Sequence, residues 1–197
     1  MTKAMPGRAA GRERGDRVRR RAALALATAL LAVCTLAPPV RVARALTLVP
    51  MTLEQLTGTA TIVVRARCID RTVTRTADGR IESLARFEVV ARAKGDAPDV
   101  VSVRQLGGRS GDTELVVPGA PLSESGDDVV LFLEPRDDGT HGVVGLALGY
   151  MPVVTLPGTG AAVRTSSTLG GVFADGGVHP VGELLDRVRA IAGATPR

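Results

Sequence analysis

The chain has 197 residues, enough for one domain with a sizeable core. Its formal charge of +5 is unevenly placed: residues 1–45 hold ten Lys/Arg and two Asp/Glu, a balance of +8, and residues 46–197 hold fifteen and eighteen, a balance of −3. The acidic second part and the scarcity of aromatic residues (one Tyr, three Phe, no Trp) argue against a nucleic-acid-binding module, which needs a basic face and stacking platforms.

The first 45 residues have the pattern of a secretory signal peptide. A basic stretch ends at Arg21, an apolar run covers residues 22–37, and Ala43-Arg44-Ala45 offers small residues at a cleavage site. The run of sixteen residues is short for a membrane span of about 20 residues. The sequence therefore predicts a cleaved leader and a single domain, residues 46–197, exported to a periplasm or out of the cell and not bound to a membrane. A retained membrane anchor is the alternative.

After cleavage the domain would keep one cysteine, Cys68, so no internal disulfide is possible. Cys68 lies in the apolar row of a predicted strand, where a free cysteine usually packs as a small hydrophobic residue. We expect a core position for this thiol rather than a reactive one.

The first predicted element of the exported part is a brief helix. Thr52 and Gln55 have the spacing of a capping box, Leu53 and Leu56 would point inward, and Gly58 would end the helix.

Two long antiparallel strands are predicted between residues 61 and 94. In the first, Ile62, Val64, Ala66 and Cys68 form one apolar row, and Arg65, Arg67 and Asp70 fall largely outside it. In the second, the odd-numbered residues from 85 to 93 form an apolar row (Ala85, Phe87, Val89, Ala91, Ala93). This alternation is typical of strands with one buried face. The pair Asp78-Gly79 favours a tight turn between them.

Further short strands are predicted over residues 100–106, 114–117, 129–133, 143–146, 151–156 and 161–164. The apolar run at residues 129–133 indicates a strand buried on both faces. The glycine-rich residues 107–112 precede a strand rather than a helix, which favours a turn over a phosphate-binding loop. Residues 166–177 are rich in glycine and serine and are expected to be mobile.

A helix is predicted to begin at Pro180. Its apolar residues recur at helical spacing and form one stripe that would pack on the sheet. They are Val181, Leu184, Leu185, Val188 and Ile191. Many short strands with glycine–proline turns favour a closed barrel or a sandwich.

The residues from Ala60 to Arg67, followed by Arg86-Phe87-Glu88-Val89-Val90 and by Lys94-Gly95, resemble the core of netrin-like domains. That family includes the tissue inhibitors of metalloproteinases, and a group of secreted bacterial proteins shares the layout. The resemblance covers roughly residues 52–150 and implies an OB-like antiparallel β-barrel. With the two helices predicted above, the expected fold is mainly β: this barrel with a short N-terminal helix and a C-terminal amphipathic helix. It implies an exported protein as partner, with a secreted protease as one option.

The tissue inhibitors bind the protease zinc through an N-terminal Cys-x-Cys motif. The expected mature start here is Leu46-Thr47-Leu48, with no cysteine, and the family's disulfides are absent. The inhibitory mechanism therefore transfers to no residue of this chain.

Few residues suggest catalysis or metal binding. His141 and His179 are the histidines, and no Gly-x-Ser-x-Gly motif accompanies them. The spacing of His, Cys and carboxylates does not fit a zinc site. The acidic pairs Asp127-Asp128 and Asp137-Asp138 could hold calcium weakly, but solvated turns are the simpler interpretation. We expect no cofactor, no metal and no catalytic residue.

Four arginines, Arg65, Arg67, Arg86 and Arg92, lie on the polar side of the two long strands. They form either a solvated sheet face or a binding patch for an acidic partner. The sequence thus favours an exported, non-catalytic protein-binding module. Its alternatives are a small exported hydrolase whose residues converge only in the fold, in which a histidine lies in a pocket beside Ser or Asp, and a structural envelope component.

Overall fold

The structure is a computed structural model that describes residues 49–158, 160–166, 169–170 and 177–194. All of them belong to one unit of the chain, Ala45–Arg197. The expected leader, residues 1–45, and most of the segment 166–177 lie outside the described residues.

The described residues form twelve strands, two α-helices and one 3₁₀-helix. The strands are β1 (Met51–Thr52), β2 (Ile62–Arg75), β3 (Ile81–Lys94), β4 (Val100–Leu106), β5 (Gly108–Ser110), β6 (Thr113–Leu115), β7 (Asp128–Pro135), β8 (His141–Val143), β9 (Tyr150–Leu156), β10 (Gly160–Arg164), β11 (Leu169–Gly170) and β12 (Val178–Pro180). The helices are α1 (Leu53–Thr59), the 3₁₀-helix Leu146–Gly149 and α2 (Val181–Ala194).

Five strands close into a barrel in the order β2-β3-β4-β8-β7, and β7 pairs back with β2. Numbered in chain order, this ring reads 1-2-3-5-4. All its pairs are antiparallel except β4–β8, which is parallel and has a single register pair, Val103 with His141. The predicted OB-like barrel with a short N-terminal helix and a C-terminal amphipathic helix is confirmed.

The apolar residues divide into two cores, one on each side of the barrel wall. The inner core includes Phe87, Leu131 and Leu133 from β3 and β7. The outer core includes Phe132 of β7 and Leu184 of α2, and both helices contribute to it. Strand β7 is therefore buried on both faces, as its continuous apolar run predicts. Cys68 is 2% exposed in the inner core, which confirms its packing role.

The predicted apolar row of β3 changes sides at a β-bulge. Arg65 pairs with Ala91 and Ala66 pairs with Val89, so Val90 is the extra residue of β3. A bulge reverses the alternation of faces. Val89 accordingly packs on the inner core and Ala91 on the outer core. The expected single row is correct up to Val89 and wrong beyond it.

Most predicted elements are present with small differences at their ends. Thr52 and Gln55 form the predicted capping box, while α1 ends at Thr59 rather than at Gly58. Residues 107–112 contribute to a small hairpin, β5–β6, instead of a plain turn. The strand expected at residues 143–146 is shifted to His141–Val143, because Gly145 takes a left-handed conformation (φ 64°) that starts the 3₁₀-helix.

Lys94, at the end of β3, caps the C-terminal end of α1. Its Nζ donates to the carbonyl oxygens of Thr57 and Ala60, at 2.6 Å each. The last turn of α1 contains no basic residue of its own, so Lys94 supplies the positive charge that helix C-termini favour.

We expect Lys94→Met to lower the free energy of unfolding by about 1–2 kcal/mol, because two charge-assisted hydrogen bonds are lost while the aliphatic stem stays. Urea denaturation would measure the change. The matched control is Arg80→Met, which removes an exposed partner of Asp78 and should cost under about 1 kcal/mol. Equal losses in the two variants would contradict a capping role for Lys94.

Candidate functional site

The four arginines of the predicted patch do not form a free positive surface. Arg65 makes a two-pronged ion pair with Asp128, with Nε–Oδ1 at 3.0 Å and Nη2–Oδ2 at 2.6 Å. Arg86 pairs with Asp70. These bonds raise the pKa of each guanidinium and lower that of Asp70.

The other two arginines of the patch differ in their contacts. Arg92 donates to Asp99 Oδ1 at 2.6 Å and to the carbonyl oxygen of Ala97 at 2.9 Å. Arg67 is exposed and makes no ion pair with any residue that the structure describes. Three of the four charges are thus offset within the chain. A role for the patch in binding an acidic partner stays a prediction.

The hydrogen bond that the structure shows for the His141 ring does not place this ring beside a nucleophile. Nδ1 of His141 faces the carbonyl oxygen of Ser102 at 3.4 Å, not a hydroxyl or a carboxylate. His179 lies on β12, opposite Val163 of β10, whereas His141 lies on the barrel strand β8. The hydrolase alternative remains a prediction.

The acidic pairs hold turns and strand ends together. Asp127 accepts from the main-chain N–H of Glu124 at 2.8 Å and from the hydroxyl of Tyr150 at 3.2 Å. No group of three or more His, Cys, Asp or Glu side chains among the described residues is arranged to hold a metal ion. Burial raises the pKa of Tyr150 and of Cys68, so both stay protonated at neutral pH.

Among the described carboxyl groups, Asp138 has the most clearly lowered pKa. Its carboxylate accepts from the hydroxyl and main-chain N–H of Thr140 and from Arg104, and these bonds lower its pKa to about 2. A carboxyl whose pKa is lower in the folded than in the unfolded state stabilises the fold at pH values above its unfolded-state pKa. This contribution is lost as the pH falls towards the folded-state pKa.

We therefore expect Asp138 to titrate near pH 2 in a ¹³C-detected NMR titration. Asp138→Asn should flatten the pH dependence of stability between about pH 4 and pH 2, because the wild-type carboxyl loses its bonds in that window. An ordinary pKa near 4 for this carboxyl would contradict the expectation.

A small concavity lies where β4 and β8 meet. The residues that follow the single register pair Val103/His141 on both strands line this concavity. Its volume is about 220 Å³, and it lies between Arg104, Glu134, Arg136 and Gly142. This is smaller than most ligand pockets, which range from about 300 to 1,000 Å³. Its side chains carry both charges, and Arg104 is already held by Glu82 and Asp138.

The surface that sequence reasoning missed is the outer face of β2–β4, defined here by Arg67, Ile69, Arg86, Glu88, Val90 and Val100. Three of its members are exposed aliphatic side chains: Ile69 (42%), Val90 (53%) and Val100 (44%). They are close in the sheet, since Glu88 pairs with Val100 and with Arg67, and Ile69 is the extra residue between the pairs Cys68/Phe87 and Asp70/Arg86.

A sequence signal for this face exists. Cys68-Ile69, Val89-Val90 and Val100-Val101 are apolar doublets within otherwise alternating strands. Since consecutive residues of a regular strand point to opposite faces, each doublet predicts one apolar side chain outside the inner core. In the first two doublets the second residue is also the extra residue of a bulge.

No protein-family model and no curated protein matches this chain. None of the described helices is both long and apolar enough to cross a membrane.

Proposed function

We propose that this chain is an exported, non-catalytic protein-binding module that binds another exported protein, with a secreted protease as one option. The observation that carries the proposal is the outer face of β2–β4, where aliphatic side chains 42–53% exposed stand among charged ones. The resemblance to netrin-like domains supports it at the level of fold and class of partner.

The chemistry of the outer face suits a protein partner. Grouped, exposed aliphatic side chains rimmed by polar ones are typical of protein interaction sites. Arg86 is already paired with Asp70, so a partner covering it would not have to compensate an isolated charge. Arg67 and Glu88, directly opposite each other, stand among the aliphatic side chains and supply both charges to the face.

The experiment is capture of a partner from the exported proteins of the producing cell. The bait is the protein in the form that the cell exports, and captured proteins are identified by mass spectrometry. We expect one stoichiometric partner for the wild type, and loss of that partner with Val90→Asp, which replaces the most exposed aliphatic side chain of the outer face by a charge.

Val116→Asp is the matched control. Val116 is 68% exposed and lies outside the outer face, so this variant should capture the partner as the wild type does. Absence of any stoichiometric partner would contradict the proposal. Equal capture of the partner by both variants would show that the binding site lies outside the outer face. Sequencing the N-terminus of the exported protein tests the predicted cleavage after Ala45.

A further inference from the structure

The far half of β2 has an open edge. Strand β7 pairs with β2 only from Ile62 to Arg67, and the turn that precedes β7 extends the contact to Cys68 and Ile69. From Asp70 to Arg75, β2 pairs with β3 on one side, and no described residue pairs with its other side. This stretch of six residues extends for about 20 Å in a strand.

The outward main-chain groups can be assigned from the hairpin register. Thr76 N–H donates to Arg80 O across the hairpin, and Thr76 O accepts from Gly79 N–H in the turn, so Thr76/Arg80 is a hydrogen-bonded pair. The two kinds of pair alternate along an antiparallel ladder. Arg75/Ile81, Val73/Ser83 and Arg71/Ala85 are therefore pairs whose main-chain groups point away from each other.

The opposite strand confirms this assignment. The carbonyl oxygen of Ile81 accepts from Gly107 N–H on the β4 side, away from Arg75. Three N–H and three C=O groups, those of Arg71, Val73 and Arg75, thus point to the open edge. Thr72, Thr74 and Arg75 are exposed, and Arg71 and Val73 are partly exposed.

The side chains along this edge are basic and β-forming. The segment reads Arg71-Thr72-Val73-Thr74-Arg75, and neither arginine makes an ion pair within the part of the chain that the structure describes. Because side chains alternate, Arg71, Val73 and Arg75 share one face. A strand added here would place its residues opposite Arg71 and Arg75 on that face, four positions apart.

We propose that the edge Asp70–Arg75 binds an extended acidic segment of a protein partner as an added strand. Main-chain hydrogen bonds to Arg71, Val73 and Arg75 provide affinity, and carboxylates opposite the two arginines provide selectivity. This inference rests on the proposed binding function and names a site and a partner chemistry for it.

A second copy of this chain is a poor occupant of the same edge. Antiparallel pairing of two copies about Val73 would place Arg71 of each directly opposite Arg75 of the other. Like charges directly opposite each other destabilise a pair of strands, and edge charges commonly prevent self-pairing.

The direct test uses a defined probe, the peptide acetyl-Thr-Glu-Thr-Val-Thr-Glu-Thr-amide, whose two glutamates match the arginine spacing in either orientation. Residue-resolved amide exchange is measured on the protein in its exported form. We expect exchange of the Arg71, Val73 and Arg75 amides to slow about fivefold at a peptide concentration four times its Kd. The same peptide with lysine at both glutamate positions should give no protection.

Arg75→Pro tests the main-chain mechanism. The N–H of Arg75 points away from β3, so proline there removes an edge donor without breaking the β2–β3 ladder. We expect this variant to keep the wild-type melting temperature and to lose peptide binding. Arg75→Gln keeps the N–H and removes the charge, so it should bind more weakly than the wild type without losing protection of the Val73 amide.

Three results would overturn strand addition: no protection by the glutamate peptide, equal protection by the lysine peptide, or wild-type binding by folded Arg75→Pro. Dimerisation of the chain through this edge would also overturn it. In the capture experiment, a partner retained equally by Arg75→Pro would leave the binding module in place and remove only the edge site. Capture of no partner by any form would instead refute the proposed function itself.

Discussion

Replacing Gly95 by alanine should lower the free energy of unfolding by about 3 kcal/mol, because the change combines a strained backbone with a steric clash. Gly95 has a φ of +72°, a conformation that costs residues with a Cβ roughly 1–2 kcal/mol. A Cβ at this position would also lie only 2.4 Å from the carbonyl oxygen of Thr61 and 2.8 Å from Cγ2 of Ile62. The Thr61 carbonyl belongs to the main chain, so it cannot rotate away as a side chain would.

Gly79→Ala is the matched control for this measurement. Gly79 has a φ of +83° in the β2–β3 turn, and a Cβ there would meet nothing within 4 Å. Gly79→Ala should therefore lower the free energy of unfolding only through the strained backbone, by about 1 kcal/mol. Urea denaturation of both variants gives the difference directly, and equal losses would show that the chain at Thr61 moves aside without cost.

This close approach explains why lysine and glycine follow each other at the end of β3. Lys94 reaches the C-terminal end of α1, and Gly95 lets the chain turn against Thr61, the residue just before β2. The Lys94 contacts join α1 to the barrel, and the Gly95 contact fixes the chain between α1 and β2. Lys94-Gly95 therefore stabilises the packing of α1 on the barrel.

Phe132→Ala should destabilise the protein by about 3–5 kcal/mol, the usual range for removing a fully buried phenylalanine. Phe132 is 0% exposed and lies in the outer core, where α1, α2 and β9 also pack. Its neighbours Leu131 and Leu133 point into the inner core. Because β7 contributes side chains to both cores, we expect the two cores of the variant to unfold together in a single transition.

Thermal unfolding followed by far-UV circular dichroism, together with exchange of amides in α2 and in β3, measures this coupling. Val116→Ala, at a side chain 68% exposed, is the control and should change stability by less than about 0.5 kcal/mol. Loss of protection in α2 with full retention in β3 would contradict one cooperative unit and would indicate that the outer core can open separately.

The candidate site was predicted from the sequence less well than the fold was. The arginine patch was identified by alternation along β2 and β3, which places residues on a face but does not show which charges already have partners. Arg65 is 63 residues from Asp128 in the chain, and Arg92 is held by the turn that follows β3. Sequence spacing cannot reveal a pair that depends on how distant strands come together.

The sequence by itself determined the elements whose signals are local. The capping box at Thr52, the turn at Asp78-Gly79, the strand at Val100–Leu106 and the apolar stripe of α2 were all readable, because each depends on residues within a few positions of one another.

Only the tertiary structure decided the bulge at Val90, the second core outside the barrel and the open edge at Asp70–Arg75. Each depends on where a distant strand begins or ends: β7 leaves β2 after Arg67, and α2 returns from the end of the chain to cover Phe132. Strand alternation specifies two faces, but the choice of what covers each face and each edge is made by the packing of elements far apart in sequence.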